Sequence, residues 1–220
     1  MSLIIPHCFF VFLSHRKRHL FVRMKLFSSH TIYVFKVLYL LINMFKRFIP
    51  FAHAQSIYEV PVDFFLNNGV KLLLIDLDNT LDSYRLYEPT ERAVQKLNEI
   101  KKAGITPIIV SNNKEKRVKK YADVAGVECI YSAHKPFSRR IRNFLAKKNV
   151  QATEVMLVGD QLMTDVLAAR GAHIRVLLTE KVVKEDQWTT HINRLFDRPI
   201  RKHLNKKGKL PDWRTKYGQI

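Results

Sequence analysis

Leu72-Leu73-Leu74-Ile75-Asp76-Leu77-Asp78-Asn79-Thr80 runs four apolar residues straight into a pair of aspartates. A short apolar run with polar borders reads as a buried strand. Open α/β sheets place their sites at the carboxyl ends of such strands, which is where Asp76 falls. A second carboxylate two residues on, and a hydroxyl two beyond it, point to a phosphate site built around a metal.

Four further apolar runs follow, at 106–110, 127–131, 154–158 and 173–178. Helical periodicity separates them. Ala93, Leu97 and Ile100 share one face with Gly104 as the stop, and Val118, Tyr121, Ala122 and Ala125 share another with Gly126 as the stop. Phe137, Ile141, Phe144 and Leu145 repeat the pattern after Pro136, a residue suited to a helix start. Asn113 reads as the cap of a helix over 114–125. The alternation predicts an α/β, Rossmann-like fold: a parallel five-stranded sheet with helices on both faces.

The 220 residues accommodate one domain with extensions, and at 47% hydrophobic they can build a core. Cys8 and Cys129 stand far apart at no metal-ligand spacing, so a reducing compartment is expected rather than a disulfide framework. The formal charge is +19; no acid precedes Glu59, and Asp212 is the one acid from Arg201 onward. That balance suits nucleic acid, ribosome or acidic lipid without choosing among them, and a merely solvated basic surface has the same composition.

Three regions are expected. Residues 1–43 are acid-free, and their apolar stretch over 32–42, broken by Lys36, falls short of the roughly 20 residues a spanning helix wants. A membrane-surface anchor, a targeting peptide and mistranslated upstream sequence are the readings. Residues 44–186 hold the strand–helix alternation. Residues 187–220 form a basic amphipathic segment in which Trp188, Ile192, Leu195 and Phe196 share a face and Pro199 ends the helix. It reads either as a helix packed on the domain edge or as one lying on an anionic membrane.

Strand ends of a parallel sheet share one edge, so four sets of polar residues can converge: Asp76, Asp78 and Thr80; Ser111, Asn112 and Asn113; His134 and Lys135; Asp160 and Asp165. Phosphoryl transfer through a covalent intermediate needs groups of these kinds. Asp76 suits the nucleophile. Asp78 suits the acid that protonates the leaving oxygen and the base that activates water. Thr80, Ser111 and Asn112, with nearby backbone N–H groups, are candidates to hold phosphoryl oxygens, and Lys135 supplies fixed positive charge. Asp76, Asp160 and the Asp78 carbonyl offer hard oxygen ligands for Mg2+. Asp165 is expected behind them, holding Lys135 or the metal site in place. Asn112 serves either phosphate or the turn. Asp82 is expected to face solvent, and His134 to be structural.

Asp76-Leu77-Asp78-Asn79-Thr80, Ser111-Asn112-Asn113, Lys135-Pro136 and Gly159-Asp160-Gln161-Leu162-Met163-Thr164-Asp165 resemble, in order and spacing, the four motifs of the haloacid dehalogenase (HAD) superfamily of phosphatases. Within its subclass IIIA the chain is similar to the YqeG family over residues 44–200, through Met44-Phe45-Lys46-Arg47-Phe48-Ile49-Pro50, Ser56-Ile57-Tyr58, the stretch 111–118 and Gly159-Asp160-Gln161-Leu162. The resemblance implies a working start at Met44, with residues 1–43 an unusual extension or a wrong start site. It also implies no large cap domain, because the intervals after the first motif and between the second and third are each filled by one strand–helix unit. An uncapped site admits phosphates on bulky carriers. Proteins in this part of the superfamily resemble phosphatidylglycerophosphate phosphatases. The implied activity is therefore Mg2+-dependent removal of a terminal phosphate from that lipid or a similar one, in the cytoplasm or peripherally on the inner face of the membrane. A nucleotide or nucleic-acid phosphatase and a non-enzymatic RNA- or ribosome-associated module are the alternatives.

Overall fold

The computed structural model describes residues 45–182 and 188–216, so the expectations for residues 1–43 lie outside the described residues. Six strands form where five were expected: β1 (Ala52–Ala54), β2 (Leu72–Ile75), β3 (Thr106–Val110), β4 (Glu128–Ile130), β5 (Val155–Gly159) and β6 (Arg175–Thr179). Their order is β1-β6-β5-β2-β3-β4, and every pairing is parallel. The extra strand, Ala-His-Ala, is too short and too small in its side chains to show a pattern in sequence. Its register against Leu177–Thr179, with the Phe51 N–H donating to the Val176 carbonyl at 3.0 Å, makes it the edge strand.

Alternation along β2 divides the core. Leu73 and Ile75 pack on one face with Phe64, Leu97, Ile100, Val118 and Tyr121, carried by α1 (Val62–Asn67), α2 (Glu91–Lys102) and α3 (Glu115–Ala125). Leu72 and Leu74 pack on the other with Ile141, Leu145, Ala168 and Leu204, carried by α4 (Arg139–Lys148), α5 (Leu167–Gly171) and α6 (Trp188–Lys206). A strand buried on both faces must be apolar at every position, which is why Leu72–Ile75 shows no polar alternation. Gly126 ends α3 in the left-handed region (φ 63°), the stop its position in the sequence predicted.

Three helix boundaries differ from the sequence reading. Phe137 lies ahead of α4 and is 74% exposed, because the Phe137 N–H donates to the His134 carbonyl at 2.9 Å and holds residues 134–137 as a turn. Asn113 does not cap α3: Lys114 occupies that position, and the Asn113 amide turns to Asp78. Pro199 does not end α6, which continues to Lys206. The carbonyl a proline leaves without its helical donor is four residues back, at Leu195, itself 71% exposed, where water can take over the bond. Leu195 is thus not on the packed face, whereas Asp197 and Leu204 are buried; the side chains of Trp188, Ile192 and Phe196 lie outside the described residues.

Candidate active site

β2 delivers Asp76 one residue past its last paired position. The Asp76 N–H still donates to the Val158 carbonyl of β5 at 2.8 Å, which fixes the backbone while the side chain leaves the sheet edge. The chain then turns sharply: Asn79 adopts φ 66° and donates to the Asp82 carbonyl at 2.7 Å. Asn tolerates this left-handed conformation better than most residues.

Lys135 comes in from the loop after β4. Its Nζ donates to Asp76 Oδ1 at 2.5 Å, Asp165 Oδ1 at 2.6 Å and the Val110 carbonyl at 3.2 Å. Burial opposes its charge, but Asp165 and Asp76 outweigh burial and hold the ammonium above its ordinary value. Burial pushes Asp76 well above the ordinary carboxylate range; Lys135 opposes this, and Asp165, Asp160 and Asp78 add to it. Thr80 donates to Asp76 Oδ2 at 3.3 Å.

The fourth loop brings Asp160 and Asp165, both fully buried. Asp165 sits on a π-helical turn (Leu162–Val166), accepts from the Gln161 N–H at 3.0 Å, and lies over Gly159. A Cβ at Gly159 would stand 2.3 Å from Asp165 Cγ, so the glycine is what lets that carboxylate in. One carboxylate oxygen each of Asp76, Asp160 and Asp165 lies within 4.8 Å of the others. Three hard carboxylate oxygens crowded in a buried site fit a divalent cation of the Mg2+ type.

Asp78 is held from α3 and the turn before it. Its Oδ1 meets Arg117 Nη2 at 2.5 Å, and its Oδ2 accepts from Asn113 Nδ2 at 2.6 Å and Ser111 Oγ at 3.2 Å. Of the expected metal set, the structure brings the carboxylates of Asp76 and Asp160 together and adds Asp165, while the Asp78 carboxylate is turned to α3. Asp165 also holds Lys135, as the sequence suggested.

The three residues expected to hold phosphoryl oxygens each have protein partners. Thr80 is fully buried against Asp76. Ser111 bonds Asp78 and accepts from the Asn113 N–H at 3.1 Å. Asn112 takes the turn role: its Oδ1 accepts from the Lys135 N–H at 2.7 Å and its Nδ2 donates to the Lys135 carbonyl at 2.9 Å, so both amide atoms clamp the lysine's backbone. Asp82, expected in solvent, is buried, because it accepts from Tyr121 Oη, the Thr90 N–H and Thr90 Oγ1 and so ties α3 to the start of α2. His134 is exposed at φ 57° beside Lys135.

Sequence reasoning assigned no role to Arg117, Asp197 or Arg201. A cation in the first turn of a helix opposes the helix dipole, so Arg117 in α3 carried a signal that it answers a specific anion. Asp197 and Arg201 reach the site from far along the chain: Asp197 accepts from the Leu162 and Met163 N–H groups at 2.9 and 3.0 Å, and Arg201 Nη2 donates to the Asp160 carbonyl at 2.8 Å. No local pattern announces such contacts.

The family described as "Mitochondrial PGP phosphatase" matches residues 32–183. The chain is 34% identical over 169 residues to "Probable phosphatase YqeG" of Bacillus subtilis (strain 168), covering 75% of this chain and 96% of that protein. Similar solved structures include hypothetical protein XCC2798 from Xanthomonas campestris (TM-score 0.43, 17% identity, 61% of this chain and 76% of that one). Another is D,D-heptose 1.7-bisphosphate phosphatase from B. bronchiseptica complexed with magnesium and phosphate (TM-score 0.41, 19% identity, 50% of this chain and 80% of that one).

Proposed function

The chain belongs to the HAD-superfamily phosphatase family described as mitochondrial PGP phosphatase, and we propose that it hydrolyses the terminal phosphomonoester of phosphatidylglycerophosphate, or a similar lipid phosphate, through an aspartyl-phosphate on Asp76. The observation that carries the chemistry is the Lys135 ammonium held between Asp76 and Asp165 at the carboxyl edge of the sheet.

Asp76 Oδ attacks phosphorus; the Oδ–P bond forms as the P–O bond to the alcohol breaks. The departing oxygen takes a proton from Asp78. Asp78 then accepts a proton from water as that water attacks the aspartyl-phosphate, releasing inorganic phosphate and restoring both carboxyl groups. Lys135 and Thr80 fix the Asp76 carboxylate. Asn112 fixes Lys135, and Arg117 and Asn113 fix Asp78. Asp76, Asp160 and Asp165, with the Asp78 carbonyl, are the oxygens that would hold Mg2+, which supplies charge neutralisation at the phosphoryl oxygens.

The substrate class rests on access. The 81–90 connection is short, and residues 112–134 are taken up by α3 and β4, leaving no insertion in either interval to cover the site. A headgroup presented from a surface meets no inserted domain at the edge that carries Asp76. Among the described residues no helix is long and apolar enough to cross a membrane.

The test is phosphate release from phosphatidylglycerophosphate in mixed micelles with Mg2+, beside an aryl phosphate and a 5′-phosphorylated oligonucleotide, with Asp76→Asn as the blank. Strong preference for the lipid is expected. Equal slow hydrolysis of all three would remove the lipid assignment, and release by the Asp76→Asn variant would remove the nucleophile.

A further inference from the structure

The loops around the site expose apolar and cationic side chains together. Among the described residues the exposed large aromatics are Tyr87 (59%) and Phe137 (74%). Tyr87 and its exposed neighbour Leu86 lie on the connection after β2, and Phe137 lies on the connection after β4. β3 alone separates these strands, so both loops rise from the carboxyl edge that carries Asp76 and Lys135. Leu66 and Val124, also exposed, occupy the last turns of α1 and α3, at the opposite edge, and no aromatic accompanies them.

Both loops are held in place. Arg117 Nη1 donates to the Leu86 carbonyl at 2.8 Å and its guanidinium lies 5.2 Å from the Tyr87 ring. Phe137 is fixed by its bond to the His134 carbonyl and borders a groove lined by Ala133, His134, Arg139, Arg140 and Asn143. Between Glu128 and Glu154 the chain carries no acid, while Arg139, Arg140 and Arg142 stand exposed in the first turns of α4. Ring-bearing side chains with one wet rim settle at the headgroup level of a bilayer, and cations beside them are drawn to anionic lipid.

We infer that this edge is a membrane-docking face: Leu86, Tyr87 and Phe137 enter the interface of an anionic bilayer, Arg139 and Arg142 pair with its headgroups, and the sheet edge that carries Asp76 is pressed against the lipid. The inference rests on the lipid-phosphate reading above and names the surface that enforces it. An uncapped site docked in this way is covered by the membrane that bears its substrate, which excludes water without a cap domain.

The experiment is amide hydrogen exchange of the full chain with and without vesicles of phosphatidylglycerol and phosphatidylcholine. These vesicles contain no phosphomonoester, so docking is read independently of turnover. Residues 83–90 and 134–142 should be protected, while residues 66–71 and 122–128 at the opposite edge are unchanged. Pure phosphatidylcholine should protect weakly. The variant Phe137→Ser/Arg139→Gln/Arg142→Gln should lose roughly tenfold or more in vesicle affinity, with aryl phosphate turnover and melting temperature kept. Equal protection at both edges, no protection at 134–142, or undiminished affinity of the variant overturns the inference. Protection of the same segments by an oligonucleotide but not by vesicles overturns it in favour of nucleic acid. Docking without lipid hydrolysis would sink the substrate reading alone, and lipid hydrolysis without docking would sink this inference alone.

Discussion

Arg117 Nη2 and Asp78 Oδ1 stand 2.5 Å apart, with the two side chains 10% and 17% exposed. The pair joins the first turn of α3 to the residue two past Asp76, and Asn113 and Ser111 complete its surroundings. An acid–base group must be held in place, and in the role proposed for Asp78 that support comes from α3.

Arg117→Ala should therefore lower kcat by roughly tenfold to a hundredfold, a share of the 10²–10⁴ that general acid–base catalysis supplies. It should also lower the melting temperature, because losing a largely shielded, charge-assisted hydrogen bond costs about 1.5–3 kcal/mol. Arg117→Lys should recover stability more than rate, since an ammonium lacks the fork that reaches Asp78 and the Leu86 carbonyl together. Turnover of an aryl phosphate and thermal melts check both; a variant with full kcat would show that Asp78 needs no such support.

Gly159→Ala tests how Asp165 is seated. The new Cβ would meet Asp165 Cγ at 2.3 Å, a distance no relaxation of rotamer alone can relieve. Asp165 must shift, and Lys135 loses one of its two carboxylates. Overpacking of this kind costs about 1–3 kcal/mol, and turnover should fall by more than the remaining folded fraction explains. Activity per folded molecule, from kcat and circular dichroism together, decides it.

The sheet was legible because both of its faces are covered, so each central strand is an unbroken apolar run ending in a polar residue. Asp76 and Asp160 were legible for the same reason, as polar residues placed where those runs stop, while Lys135 and Asp165 lie several residues further on and were legible only through the motif spacing. β1 was not, since three small residues gain their strand from β6 rather than from their own pattern. The partners of the site residues were also hidden. Asn112 on the Lys135 backbone and Asp82 on Tyr121 are contacts across 23 and 39 residues, and each polar side chain could have faced solvent or phosphate as readily in sequence.

Metal and proton should compete at Asp76. Burial raises its pKa above the unfolded value of about 3.9. The folded chain therefore holds that proton more tightly, and the contribution of Asp76 favours folding at low pH and fades as pH rises through the folded value. A cation held among Asp76, Asp160 and Asp165 would replace the proton. Mg2+ should raise the melting temperature, by an amount that grows as pH rises through the folded value of Asp76, and a chelator should reverse it; at a hundred times its dissociation constant the ion adds about 2.7 kcal/mol. Melts across pH with and without Mg2+ measure this, and a shift independent of pH would place the ion elsewhere.

Asp82 lies four residues from Asp78 yet serves stability. Tyr121 Oη reaches it at 2.5 Å, Thr90 Oγ1 at 2.8 Å and the Thr90 N–H at 3.0 Å. Burial, then the bond and charge of Asp82, push the Tyr121 hydroxyl upward, so it stays a donor at every working pH. Asp82→Ala should cost about 1–3 kcal/mol by leaving that hydroxyl unpaired, with activity per folded molecule retained. Asp82→Asn, which keeps an acceptor, should lose less.

α6 gives the last test, because it grips the loop that carries the metal-ligand candidates from two sides. Asp197 accepts from the Leu162 and Met163 N–H groups, and Arg201 holds the Asp160 carbonyl and, at 2.7 Å, Glu180 Oε1. A helix whose only work was on a membrane would leave soluble turnover untouched when altered. With these bonds, Arg201→Ala should let the Asp160 backbone move, weakening Mg2+ and lowering turnover of a soluble aryl phosphate by roughly tenfold, as loss of an outer support for a metal ligand typically does. Asp197→Ala should act on the same loop through its two freed N–H groups, lowering the melting temperature as well, by about 1–3 kcal/mol. A Mg2+ titration of activity in each variant separates weakened metal binding, which excess ion rescues, from a misplaced Asp160, which it does not.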